Sequence, residues 1–314
     1  CGKLYAEDET TVLTADEVKT DVDPDNHVGM DSTTGKCACG KFVAVAQVDD
    51  AYFTDFGTAI TAWQVPEAVK LTLHANVETS ARVAFTSNHG DTKVLDLNGC
   101  TWTNNAAQVL FYGNSSGMLT IQDSTNAGGA IVCGKYSTSM IFNDGTLNIT
   151  GGTIAATDDY TNVIDNGGTA YISGNAVLKS TCQQASCISN STLASNAVLT
   201  ITGDAKIEAG NVAIGLSGTV DLSGAKCAGW VVKQNNSGSL LRLPDNHVLQ
   251  MGDKLVTTLA NGETGTIVEH KTHDYATPKF DNTHHWDECA CGATTEKVEH
   301  TFTYTPVTGK EVHI

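Results

Sequence analysis

A short motif of alternating apolar residues closed by a turn recurs through the middle of the chain, and it restricts the fold more than anything else in the sequence. Residues 145–152 read GTLNITGG, 168–175 GTAYISGN, 197–204 AVLTITGD and 218–225 GTVDLSGA. Earlier copies are VLDLNG at 94–99 and MLTIQD at 118–123, and LLRLPD at 240–245 is a later one. Superposition puts Leu97, Ile121, Ile149, Ile172, Ile201, Leu222 and Leu243 in one column, at intervals of 21 to 29 residues. Within a copy the alternation, with Leu147 and Ile149 inward and Asn148 and Thr150 outward, has the period of a half-buried strand. Hairpins do not fit, because their paired runs lie only about two to five residues apart. A further strand precedes each copy, as in MIFN (140–143), NVID (162–165), SCIS (186–189) and NVAI (211–214). The expectation is an all-β chain wound as a right-handed parallel β-helix of about seven rungs, with Leu, Ile and Val stacked inside.

Such a coil has open ends, and bare strand edges invite aggregation unless covered. TDFGTAITAW (54–63) places Phe56, Ile60 and Trp63 at helical spacing behind Thr54, a residue able to cap a helix. A short helix over the first rung is therefore expected, with VKLTLHANV (69–77) opening the coil; the alternative is a strand in a separate small domain. The chain then divides into a CxC/His end module (1–40), an N-terminal cap (41–70), the parallel β-helix (71–250) and a C-terminal Cys/His metal module (251–314).

The ends carry the chemistry. His273, His285, Cys289 and Cys291 are spaced H-x11-H-x3-C-x-C, and two imidazoles with two thiolates are the ligand set of a closed structural Zn2+ site. A strained Cys289–Cys291 disulfide, or two free thiols beside surface histidines, are the alternatives. Degraded copies supply possible second sites: His27, Cys37 and Cys39 at the start, and His300 and His313 at the finish. Reading the end into the start brings Cys1 beside His300 and His313, so head-to-tail joining to neighbouring copies, in tandem or as a filament, is expected; the alternative is an isolated fragment cut inside the motif. Cys182 and Cys187 are candidates for a local disulfide, whereas Cys100, Cys133 and Cys227 suit small buried hydrophobes.

The 18 Lys and Arg against 35 Asp and Glu give a net charge of -17, which argues against nucleic acid and anionic membranes as partners. No run of about 18 apolar residues offers a membrane span. The chain opens on Cys1 without a leader and is expected to be a piece of something longer. Catalysis is not expected. Only two arginines, Arg82 and Arg242, are present, and the adjacent Asp158 and Asp159 would point to opposite faces of a strand. His74, His89 and His247 sit in no motif. A carbohydrate-active enzyme is kept as one alternative; a glycan- or host-protein-binding module, suggested by Tyr112, Tyr160, Tyr171 and Trp102, is the other.

LDLNGCTW (95–102), LTIQDS (119–124) and GTLNITGGTI (145–154), following a helix and a VKLTL strand, resemble surface proteins of gut Clostridia and related Firmicutes that carry a pectate-lyase-like parallel β-helix. The resemblance covers roughly residues 41 to 250; Cys100 departs from its usual pattern. Residues 1–40 and 270–314 are similar to the short HxW, CxCG and HxF repeats of secreted Clostridial proteins. What the resemblance implies is an extracellular place on a bacterial cell surface and a linker or capping role for the ends. The expected function is a non-enzymatic structural or adhesive rod.

Overall fold

The computed structural model describes residues 29–37, 40–80, 83–84, 92–105, 111–113 (backbone only), 117–134, 139–157, 161–190, 196–289 and 291–301. His27, Cys1, Cys39, His313, Arg82, His89, Asp158, Asp159 and Tyr160, and the side chain of Tyr112, lie outside the described residues.

The repeat folds as a parallel β-solenoid of about six turns. Its first sheet stacks the motif strands Lys70–Leu73, Thr92–Asp96, Met118–Gln122, Thr146–Ile149, Thr169–Ile172, Val198–Gly203, Thr219–Ala225 and Leu240–Arg242 in sequence order. A second sheet takes Val77–Thr79, Thr101–Asn104, Ala130–Cys133, Thr153–Ala156, Val177–Ser180 and Lys206–Ala209. The third takes Phe111–Gly113, Ser139–Asn143, Asn162–Asn166, Ser186–Asn190, Val212–Leu216 and Val231–Gln234. The count falls one below the expected seven because the last motif copy opens no further turn. After Leu240–Arg242 the chain enters His247–Met251, Lys254–Val256 and Thr264–Glu269, which add antiparallel to the third sheet.

Apolar columns fill the interior. Ile121, Ile149, Ile172 and Ile201 are direct neighbours along the first sheet, Ile131, Ile154, Leu178 and Ile207 along the second, and Ile141, Ile164, Ile188 and Ile214 along the third. The first column begins differently from expectation: Leu95, not Leu97, stands opposite Ile121. A slip of two residues keeps the same face inward, so both leucines are buried. The same register brings Lys93 opposite Leu119. Its buried ammonium donates to the carbonyls of Trp63 at 3.0 Å and Val65 at 2.6 Å, and also to that of Ala68. Those carbonyls lie at the C-terminal end of the capping helix and just beyond it, where the backbone is rich in acceptors.

The cap is a single short helix, Phe56–Trp63, whose Phe56, Ile60 and Trp63 turn inward. Its N-cap is Asp55 and not Thr54: the Asp55 carboxylate accepts from the backbone N–H of Thr58 at 2.7 Å, the stronger acceptor taking the position. Ala46–Val48 pairs antiparallel with Lys70–Leu73 and with Ala51–Phe53, closing the first sheet at this end. Trp102 belongs to this core; it is fully buried and meets Phe56 edge-on, with ring centroids 5.0 Å apart. It therefore offers no binding surface, unlike Tyr171, which is 46% exposed.

A column of buried asparagines runs beside the apolar ones. Asn143, Asn166 and Asn190 occupy successive positions at the corner between the third and first sheets. The Nδ2 of Asn143 donates to Oδ1 of Asn166 at 2.7 Å, and that of Asn166 to Oδ1 of Asn190 at 2.7 Å. Each amide also reaches a backbone carbonyl of the following turns, Thr169 at 3.0 Å and Val198 at 3.0 Å for the first two. Such a ladder satisfies its own members and specifies the register of the turns it joins.

No disulfide joins any two cysteines among the described residues. The local disulfide weighed for Cys182 and Cys187 is not formed. Cys182 Sγ instead accepts from the backbone N–H of Ala185 at 3.0 Å, and burial pushes the Cys187 thiol well above its ordinary range. Cys133 and Cys227 pack in the core as small hydrophobes, and Cys100 is half-buried against it.

Candidate metal centre

His270 follows directly on the strand Thr264–Glu269, the last to join the solenoid, and its backbone N–H bonds the carbonyl of Asn246 at 2.6 Å. Beyond it the chain forms a separate antiparallel sheet of Thr277–Phe280, His284–Glu288 and Val298–Glu299. Asp281 shapes the first hairpin: its carboxylate accepts from the backbone N–H groups of Thr283 at 2.8 Å and His284 at 2.7 Å, and these bonds hold it at about 2. The CACG sequence then turns back on itself. The N–H of Gly292 bonds the carbonyl of Cys289 at 2.8 Å, and the N–H of Cys289 bonds that of Ala293 at 2.8 Å. Gly292 has φ +84°, a conformation costly for any residue with a Cβ.

This turn sets two thiols beside two imidazoles. The ligand atoms of His270, His273, Cys289 and Cys291 all lie within 4.8 Å of one another. His270 Nε2 is 2.9 Å from Cys289 Sγ, and His273 Nδ1 is 3.1 Å from Cys291 Sγ. Bonds of about 2.0–2.3 Å to a tetrahedral ion require donors roughly 3.3–3.8 Å apart, so the group fits a metal ion with little rearrangement. Cys289 is buried. Burial opposes its ionisation, but hydrogen bonds from the Cys291 backbone and from His270 and His273 outweigh it and lower the thiol to about 6. Burial and then the charge of Cys289 push Cys291 the other way.

Of the four residues singled out from the sequence, His273, Cys289 and Cys291 are brought together and His285 is not. His285 lies in the strand His284–Glu288, opposite Phe280 and Val298, with its ring stacked on His300 at 5.5 Å. Extended backbone rises about 3.3 Å per residue, so an H-x3-C pair running along a strand is separated by roughly 13 Å. His270 takes the fourth place. The signal that finds it is H-x2-H at the exit of a strand, a spacing that a bend can close. His300 is described, but its expected companions His313 and Cys1 are not.

The earlier CACG repeats the turn. Gly40 also has φ +84°, its N–H bonds the carbonyl of Cys37 at 2.8 Å, and the N–H of Cys37 bonds that of Lys41 at 2.9 Å. Cys37 is buried there; Cys39 and His27 lie outside the described residues.

A depressed thiol fixes the sign of a pH effect. In chelator, the stability that Cys289 contributes as a thiolate is complete above pH 9, its ordinary value, and is lost as pH falls toward about 6. The melting temperature of the tail, followed by Trp286 fluorescence, is expected to drop over that window. A flat profile, or one rising toward acid, would contradict the assignment.

No protein family, curated protein or solved structure matches this chain.

Proposed function

We propose that the protein is an extracellular structural or adhesive surface protein, a rigid rod unit whose C-terminal module is pinned by Zn2+, and that it is not an enzyme. The observation carrying this reading is the closed donor set: with four protein ligands no position is left open for a substrate or water, which is the pattern of a structural and not a catalytic zinc site. The solenoid supports it, since a stack of turns each packed only on its neighbours makes a stiff spacer. Among the described residues no helix is long and apolar enough to cross a membrane.

The repeated turn at Cys37 supports a second site completed by Cys39 and His27. Head-to-tail joining to neighbouring copies, with His300, His313 and Cys1 meeting at the joint, is supported by the far end of the first sheet. Leu240–Arg242 is its last strand, Leu240 is 47% exposed, and a groove of about 470 Å3 runs beside it, lined in part by Leu216, Leu241, Leu249 and Leu259. An apolar groove along an end strand is a template for association. A Clostridial cell surface is the setting that the sequence resemblance suggests.

Elemental analysis of the purified chain, combined with antibody labelling of intact cells that make it, tests the reading. One equivalent of zinc, or two if the Cys37 site also fills, together with surface labelling, is expected. Metal-free protein with a stable tail, or label only after lysis, would reject it.

A further inference from the structure

A groove of about 270 Å3 crosses the third sheet over four successive turns. Its lining is dominated by carboxamides, Asn162, Gln184, Asn211 and Asn235, one from each turn. Asn162 opens its strand, Gln184 and Asn211 come just before theirs, and Asn235 follows the strand Val231–Gln234, so the amides reach the groove from both ends of the sheet. Ser186 and Ser189 add hydroxyls and Lys233 an ammonium, while Ala185 and Val212 are the only apolar residues. An apolar ligand therefore has nothing to rest on.

Two details mark the groove as more than a polar surface. Oδ1 of Asn162 is buried and has no hydrogen-bond partner, a state that costs about 1–3 kcal/mol and that a ligand donor would relieve. Gly215 is its second peculiarity. A Cβ there would collide with the amide nitrogen of Asn235 and come within 3.1 Å of the Ser186 hydroxyl, so the glycine leaves room for both polar groups. Its backbone is not in the left-handed region, and space, not conformation, is what the missing side chain provides.

We propose that this groove is a binding site for a neutral saccharide, whose hydroxyls meet the four carboxamides. A carboxamide both donates and accepts, as does each sugar hydroxyl, so a cluster of the first matches a ring of the second. The volume lies just below the roughly 300–1,000 Å3 of small-molecule pockets, which suits a short stretch of glycan. Lys233 is the one charged residue in the lining, and Asp165, opposite the lining residue Ser189, sets an acidic group against it, which favours a ligand of neither sign. Burial and the nearby charge of Asp144 raise the Asp165 carboxyl, and an anionic ligand would add a further like charge. The site is independent of the metal centre and of the structural reading; a rod without this ligand remains a rod.

Saturation-transfer NMR and titration calorimetry of the full chain with maltotetraose, cellotetraose and mannotetraose test it, with tetragalacturonate as the acidic arm. At least one neutral tetrasaccharide is expected to bind, with Kd on the order of 1 mM. Gly215→Ala should weaken that binding roughly tenfold by displacing Asn235. Should this variant fold poorly, the double variant Gln184→Ala/Asn211→Ala, at two exposed positions, should weaken it as much while lowering the melting temperature by only a few degrees, since Asn211 gives up one exposed bond to the Gln183 carbonyl. Transfer to none of the three neutral sugars, binding of the acidic one alone, or variants that bind like the parent chain would overturn the proposal.

Discussion

Ile172→Asp is expected to unfold the middle of the solenoid. Ile172 is 1% exposed and stands between Ile149 and Ile201 in the first-sheet column. The substitution forfeits about 1.5–3 kcal/mol of apolar burial and leaves a carboxyl among apolar neighbours, costing several kcal/mol more. The total, on the order of 5 kcal/mol, is comparable with the whole stability of a marginal domain, about 5–15 kcal/mol. Tyr171→Asp, one residue away and 46% exposed, should cost no more than about 1 kcal/mol. Thermal unfolding followed by circular dichroism separates the two variants, and coincident melting curves would defeat the register.

The second large effect concerns His270. Replacing it by Ala removes one of four donors and should lower metal affinity by at least about a hundredfold, beyond the 10–100-fold typical of losing a group that merely supports a ligand. Because the free energy of ion binding is folding free energy in a small metal module, protease should then cut within residues 270–301 while the solenoid keeps its melting temperature. His285→Ala should change neither affinity nor cutting. Competition with a chelator reads the affinities, and the opposite ranking of the two variants would return His285 to the ligand set and remove His270.

Much of the solenoid is legible in the sequence because inward positions alternate and recur. Errors are confined to what alternation cannot see. A two-residue slip leaves the faces unchanged, so Leu97 substituted for Leu95 without harm to the pattern. Lys93 breaks the hydrophobic rule inside the column, and only the carbonyls beneath the cap explain it. The asparagine column is hidden in the sequence because NVID and SCIS each stop one residue short of Asn166 and Asn190. Their alignment with Asn143 appears only when the turns are stacked. At the candidate metal centre, spacing along the chain picks out the thiols, since C-x-C followed by Gly closes locally. The histidines depend on whether the intervening backbone is extended or bent, and His285 lies on a strand where His270 lies at a bend.

The asparagine ladder makes rod length a matter of whole numbers. Its members make equivalent contacts: each offers an amide to the next turn, and the last, Asn190, passes its protons to the carbonyls of Ser217 and Thr219. Deleting a complete turn would join Asn143 to the partner of Asn166 and leave every remaining corner satisfied. Deleting part of a turn would strand an amide in the core. A lineage of such chains can therefore lengthen or shorten by duplication and loss of full turns, while the segments between corners, from 21 to 29 residues per repeat, vary freely. Reach, for a molecule built this way, is tuned in steps of about 4.8 Å.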